Sequence, residues 1–391
     1  MSLSTLLRQK PEARILIVMP RQIGDVILAT TLIPALHAAF PNLKLAWVAH
    51  PMVTDILEGQ PGLHSVIYLP QGKRAYKAKR TGFLGKVEKA VGQFFAEIKL
   101  VRTVRAFKAD VVLDQLSNPR TALLSALSGA PTRISFRTRF PRNLAFTHLV
   151  PREELSGGYV ALKRLSLLKP LGIDAVSTGE VPPLRIPRTP AAVQKIDNLF
   201  ATDLAQLAKN PFIAIAPPHR HEVRRWGEQQ FLEVALHITL HWKMPVVWLW
   251  GPGEEPLVRS IHNNLLNSLS SNGASFSLSH FPALLTLQET AELCSRALCW
   301  VGNCSGLSHL AVASGCKTVR IHGPTQPTSW LHPNSAMHRA VFRTTGCVGC
   351  ERNVCTHTHR ECLNNLPSSQ VITELESLLK NEIAENLTRS P

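Results

Sequence analysis

The chain reads as an α/β protein built from two doubly wound, Rossmann-like halves. Three observations carry this expectation. Short β-rich runs alternate with helix-patterned stretches up to about residue 136 and again after residue 212, and strands alternating with helices imply parallel sheets. The segment PPLRIPRTP (182–190) has four prolines in nine residues, the composition of a linker between the two series. The length, 391 residues, suits two domains of ordinary size.

The elements follow in order. RILIVMP (14–20) is apolar enough for a buried strand, and GDVILATTLIPALHAAF (24–40) has helical spacing that ends before Pro41. LKLAWVAH (43–50), HSVIYLP (64–70), DVVLDQL (110–116) and RISF (133–136) read as further strands, with a helix over 120–129 stopped by Gly129. Residues 183–192 are the expected linker. After it, FIAIAPP (212–218), PVVWLWGPG (245–253), LCWVGN (298–303) and TVRIHGP (318–324) repeat the strand style, with a helix over 228–242. The expected division is therefore 1–182, a first domain; 193–367, a second domain with a Cys-rich loop at 346–362; and 368–391, a final amphipathic helix and tail. Two such halves joined by a hinge predict a cleft between them.

Composition narrows the class. The chain is 45% apolar and 18% charged, inside the globular range and far from a disordered one. The N-terminal stretch has no apolar h-region and there is no 18-residue apolar run, so a cytoplasmic protein without a spanning helix is expected. Lys and Arg number 43 against 27 Asp and Glu, which predicts an anionic partner. Basic residues concentrate between Lys73 and Lys108, Lys77, Lys79 and Arg80 among them. Phe83, Leu84, Val87, Val91, Phe94, Phe95, Ile98 and Val101 recur there at three- and four-residue intervals, the pattern of a basic amphipathic helix. Such a helix either packs on the core with a solvated basic face or meets a membrane or anionic acceptor. Aromatic residues are only 6%, too few for the stacking platforms of a nucleic-acid binder, so no nucleic-acid partner is expected.

Three stretches carry candidate chemistry. In MPRQIGDVILATTLIPAL, Gly24 permits a tight turn after the first strand and Asp25 opens a helix. Ligands of open α/β sheets bind at that end of the strand, and Asp is also an ordinary helix cap; both readings stand. No G-x-G-x-x-G fingerprint is present. In FIAIAPPHRHEVRRWGEQQF, a strand runs into His219, Arg220, His221, Arg224 and Arg225, cations placed where a pyrophosphate would need them. In GNCSGLSHLAVASG, Ser305 and Gly306 sit at a strand-to-helix turn with His309 on the first helical turn, a second anion-friendly helix start.

Taken together, these stretches resemble the bacterial lipopolysaccharide heptosyltransferases, glycosyltransferase family 9, over about residues 14–380. The matching pieces are GDVILATTLIPAL, RRWGEQQF, WGPGEE, GNCSGLSHLAVASG and HGPTQPTSWLHP. The resemblance implies a GT-B fold, two Rossmann-like domains facing across a cleft. It also implies inverting, metal-independent transfer of a heptose from ADP-heptose to the lipopolysaccharide inner core, with the enzyme peripheral at the cytoplasmic face of the inner membrane. Asp25 matches the family's catalytic carboxylate, and Arg224, His219 and Arg220 its phosphate-binding loop. Ser305 and Gly306 match the turn that approaches the diphosphate, His309 the nucleotide-site histidine, and Glu254 or Glu255 the nucleoside site. One position departs. Where the family carries aspartate, this chain has Cys304, and a thiol cannot accept paired hydrogen bonds from sugar hydroxyls as a carboxylate does. Either Asn303 shares the sugar-binding role, or the donor sugar differs, or activity is reduced; a related glycosyltransferase with another nucleotide-sugar or acceptor is the alternative.

The Cys-rich loop, GCVGCERNVCTHTHREC, spaces Cys347, Cys350, Cys355 and Cys362 as C-x2-C-x4-C-x6-C. Four thiolates, or three with His357 or His359, suit a structural zinc; free thiols or a labile disulfide are the other readings. No metal or cofactor is expected in catalysis.

Overall fold

A computed structural model describes residues 3–20, 22–70, 83–155, 158–174, 177, 179–208, 210–344, 347–357 and 360–389. The chain divides into two compact units, Met1–Pro187 and Arg188–Pro391.

The first unit runs α1 (Leu3–Arg8), β1 (Ala13–Val18), α2 (Ile23–Ala29), α3 (Leu32–Ala39), β2 (Leu43–Ala49), α4 (Thr54–Leu57), β3 (Ser65–Tyr68), α5 (Phe83–Ala106), β4 (Val111–Asp114), α6 (Pro119–Leu127), β5 (Thr132–Phe136), β6 (His148–Val150) and α7 (Val160–Leu165). All six strands are parallel, in the order β3-β2-β1-β4-β5-β6. β1 and β4 are apolar runs buried along almost their whole length, as strands covered on both faces must be. Leu16, Val18, Ala46, Val48 and Val112 form the core beneath α5 and α6 with Leu100, Val104 and Leu124.

The single helix expected over 24–40 is two helices. Pro34 has no N–H to donate to Thr30, and its ring would crowd that carbonyl. The chain breaks at Thr30–Thr31, where both hydroxyls turn back onto carbonyls, Thr30 to Ile27 (2.6 Å) and Thr31 to Leu28 (3.0 Å). Strand β6, only three residues long, was not expected. It begins on an exposed histidine and shows no alternation to read.

The second unit runs α8 (Pro190–Ala201), β7 (Ile213–Ala216), α9 (Glu228–Leu240), β8 (Val246–Trp248), α10 (Glu255–Ser271), β9 (Ser279–His280), α11 (Leu287–Arg296), β10 (Cys299–Asn303), α12 (Gly306–Ala313), β11 (Lys317–Ile321), α13 (Pro327–Trp330), β12 (His338–Val341), α14 (Glu361–Asn364) and α15 (Ser368–Arg389). Its sheet is again six-stranded and parallel, β12-β11-β10-β7-β8-β9. Counted within the unit, both sheets have the order 3-2-1-4-5-6. Each therefore reverses direction at one switch point, between β1 and β4 in the first and between β7 and β10 in the second, and ligands of such sheets bind there. α15 packs on α9, β11 and β12, with Val371, Leu375, Leu379 and Ile383 in the core.

The proline-rich segment passes between the units one residue pair at a time. The Arg185 N–H donates to Thr30 Oγ1 (3.1 Å) and its carbonyl accepts from Gln60 Nε2 (3.0 Å). Arg188 forms a two-pronged pair with the buried Glu292 (2.8 and 3.0 Å). Only Ile186 and Pro187 lie between these two fastenings.

Candidate active site and donor site

In the first unit, the carboxyl end of β1 leads through Met19 and Pro20 to α2, and Asp25 stands in the first turn of that helix. The N-cap of that helix is Gln22, not Asp25. Oδ1 accepts from Nη2 of Arg164, a largely buried arginine of α7 whose Nη1 lies 3.9 Å from Met19 Sδ. Arg164 fixes the orientation of the Asp25 side chain. The two residues are 139 positions apart, and nothing local in the sequence connects them.

A second carboxylate lies at the same switch point. Asp114 ends β4, fully buried, and burial pushes it above the usual carboxylate range. Its Oδ1 accepts from the N–H groups of Leu116 (2.9 Å) and Ser117 (3.0 Å). That ties the turn into α6, a structural task.

In the second unit, the loops after β8, β7, β10 and β11 leave adjacent parallel strands at the same end, which brings four of the expected segments together. After β7, His219 is buried and held neutral: burial and the neighbouring Arg224 charge lower it to about 4. Its Nδ1 accepts from the His221 N–H (2.9 Å), and Arg225 Nη2 donates to its carbonyl (3.1 Å). The loop is thus less cationic than its composition implies, with Arg220, Arg224 and Arg225 carrying the charge. Trp226 locks it into the core, stacking edge-on against Phe231 at 4.9 Å and donating Nε1 to the Leu366 carbonyl (3.0 Å).

After β10, Asn303 is fully buried and its amide is occupied by backbone. Oδ1 accepts from the Trp226 N–H (3.0 Å) and Nδ2 donates to the Pro217 carbonyl (2.6 Å). Asn303 is a clasp between the β7 and β10 loops, so the sugar-binding role offered for it is not supported by its geometry. Cys304 follows, buried, its thiol pushed up by burial and close to Thr325 and Arg320; it is a neutral thiol, not a thiolate. Ser305 precedes α12, and Ser308 closes the turn by accepting from the Ser305 N–H (3.2 Å) and donating to its carbonyl (2.7 Å). His309 is buried one turn on, its ring 5.9 Å from Trp330 and its Nδ1 3.4 Å from Arg320 Nη1.

After β8, Glu254 Oε2 accepts from the Gly251 N–H (2.9 Å) and closes the WGPG turn. Glu255 pairs instead with Arg259 on the surface (2.6 Å).

Sequence reading missed three arginines and one glutamate. Arg164 is one. Arg320, wholly buried on β11, donates to the carbonyls of Trp330 (2.8 Å) and Ser308 (3.0 Å). Glu351 lies in the Cys-rich loop at φ 55. Its carbonyl accepts from Arg224 Nη2 (3.1 Å) and its carboxylate lies 3.7 Å from the same group. Oε1 of Glu351 also accepts from the Gln326 N–H (2.9 Å) and Trp330 Nε1 (2.8 Å). Arg360, further along the loop, donates to the Glu222 carbonyl (2.5 Å). The loop is therefore a brace across the turns after β7 and β11.

The zinc offered as one reading of that loop finds no assembled ligand set among the described residues. Cys347 and Cys362 sit side by side with Cys362 buried and raised to about 11, chiefly by burial and then by Cys347, while Cys350 is exposed. Among the described residues no three His, Cys, Asp or Glu side chains are grouped to hold a metal ion, and all eight cysteines are free thiols. His359 lies outside the described residues, as do Lys77, Lys79 and Arg80.

Residues 97–360 match the family described as glycosyltransferase family 9 (heptosyltransferase). The chain belongs to glycosyltransferase family 9. It is 25% identical over 367 residues to a lipopolysaccharide heptosyltransferase 3 of Escherichia coli, spanning 91% of this chain and 96% of that one. Two solved structures share its fold. A family 9 glycosyl transferase from Veillonella parvula DSM 2008 superposes with TM-score 0.73 at 18% identity, over 94% of this chain and 97% of that one. The E. coli ADP-heptose lps heptosyltransferase II gives TM-score 0.70 at 20% identity, over 94% and 99%. The fold is the two-domain α/β GT-B fold, and this family 9 chain is a glycosyltransferase enzyme. Among the described residues of this family 9 member, no helix is long and apolar enough to cross a membrane.

Proposed function

We propose that the chain transfers a heptose from ADP-heptose to the inner core of lipid-anchored lipopolysaccharide, inverting the anomeric centre, at the cytoplasmic face of the inner membrane. The observation that carries the reading is Asp25, a carboxylate at the β1 switch point held by Arg164. In this reading Oδ2 takes the proton of an acceptor hydroxyl while that oxygen attacks the anomeric carbon and the bond to the diphosphate breaks. The departing ADP is stabilised by Arg224, by Arg220 and by the N–H groups at the start of α12. Neutral His219 donates or accepts without adding charge. The reading assigns this stabilisation to the chain's own groups and no part of it to a metal, so activity after dialysis against EDTA is the expected result. In this reading the charges of Lys77, Lys79 and Arg80 attract the phosphorylated acceptor.

Asp25→Asn tests the assignment. Transfer should fall by about 10²–10⁴ while ADP-heptose still raises the melting temperature, as a bound donor must. Turnover near the parent rate would sink the role of Asp25. A second reading is favoured by Cys304: the neutral thiol beside Thr325 suits a donor whose sugar makes fewer hydrogen bonds at this point. Thermal shifts with ADP-heptose, other ADP-sugars, UDP-sugars and GDP-sugars separate the two; no response to any ADP compound would overturn the donor assignment.

A further inference from the structure

Helix α5 buries Leu100 and Val104 against the first sheet. Its opposite face is apolar. Val91, Phe94, Phe95 and Ile98, spaced i, i+3, i+4 and i+7, share that face, with Phe94 63% and Phe95 64% exposed and their rings in edge contact at 6.1 Å. Arg102 and Arg105 continue the same face toward the helix end, both exposed.

The apolar surface does not stop at one helix. α6 lies alongside, tied to α5 by the Arg120–Glu97 pair (2.7 Å), and it exposes Leu123 at 60% together with Leu127. The turn after β5 packs on α6 and adds exposed Phe140 and Leu144. Seven large apolar side chains stand in solvent between residues 91 and 144. Isolated exposed apolar residues need no explanation, but aromatic rings gathered on neighbouring elements do. Residues 91–150 also carry nine Lys or Arg against three acidic residues (Glu97, Asp110, Asp114). Of those three, Glu97 pairs with Arg120, Asp110 pairs with Lys10 and Asp114 is buried.

We propose that this face, α5 with α6 and the turn at 139–145, inserts its aromatic and leucine side chains into the headgroup boundary of an anionic lipid bilayer. Apolar side chains framed by arginines are the composition of an interfacial surface, where rings enter the acyl boundary and cations meet lipid phosphates. The charge selects a bilayer over a second copy of the chain, because pairing two such faces would bring like-charged arginines together. The inference is independent of the donor sugar and of Asp25, since it needs neither transfer nor donor binding.

The test is sedimentation of the full chain with vesicles of phosphatidylcholine alone and of phosphatidylcholine mixed with phosphatidylglycerol. The mixed vesicles should carry down at least about tenfold more protein. Phe94→Asp with Phe95→Asp should remove that binding about tenfold or more, while the melting temperature and its shift with ADP stay at parent values because both rings are outside the core. Arg102→Glu with Arg105→Glu should weaken binding at low salt. Vesicle binding unchanged by the double Phe substitution overturns the proposal, as does no binding to either vesicle. Light scattering that shows a dimer broken by the same double substitution, without vesicle binding, would assign the face to self-association and overturn it equally.

Discussion

Arg224, the cation proposed to hold the diphosphate, lies against a carboxylate of its own chain. The Glu351 carboxylate lies 3.7 Å from the guanidinium and is partly exposed, so the pair is screened and worth about 1 kcal/mol at most. A donor bound as proposed must still exchange that contact for its own. Glu351→Gln should therefore tighten ADP by about two- to fivefold, measured by calorimetry at fixed ionic strength, with little change in melting temperature. Unchanged or weaker ADP binding would show that Glu351 is not a competitor for Arg224. Asp25 and Arg224 were legible as candidates because each stands next to a strand end in a polar, turn-forming stretch. Their partners, Arg164 and Glu351, were not. A contact across 139 or 127 positions leaves no trace in local spacing, and only folding brings the groups together.

Elements were legible where the pattern is long and apolar. The buried strands β1, β2, β7, β10 and β11 and the helices α9 and α15 fell where their periodicity placed them. Failures share one physical cause, a local signal too short or overridden by a single backbone property. Pro34 split a helix whose side-chain pattern is continuous. The strands β6, β9 and β12 have two to four residues, and they exist because a neighbouring parallel strand offers hydrogen bonds. At Gly302 on β10, a Cβ would come 2.5 Å from the Ala216 carbonyl oxygen on β7 and 2.8 Å from the Trp300 ring. Backbone cannot yield there without opening the β7–β10 pairing. Gly302→Ala should destabilise by about 1–3 kcal/mol, lowering the melting temperature by several degrees; a parent-like melt would mean that the two strands can separate freely at the switch point.

Across the whole molecule, buried imidazoles tie stability to pH. His219, His262 and His332 are lowered to about 4, and His322 and His338 to about 3, with burial the leading cause at each. All five lie in the second unit. An unfolded histidine takes its proton near pH 6.5, whereas these folded ones resist until pH 3–4, so the unfolded state binds more protons in between. Stability is accordingly full above about pH 6.5 and declines as pH falls toward 4. Thermal melts between pH 8 and 4.5 should show the melting temperature falling below about pH 6.5; a flat profile over that range would contradict the neutral assignment.

The repeated strand order has an evolutionary reading. Each unit closes its own sheet over its own core, and the stretch between their last fastenings is two residues long. The turns after β7, β8, β10 and β11 are built on a different sheet from the one that presents Asp25. In the function proposed above, a lineage can thus trade one sugar nucleotide for another while keeping Asp25 unchanged. Cys304, seated in a turn whose clasp at Asn303 is intact, is the kind of substitution such a division of labour permits.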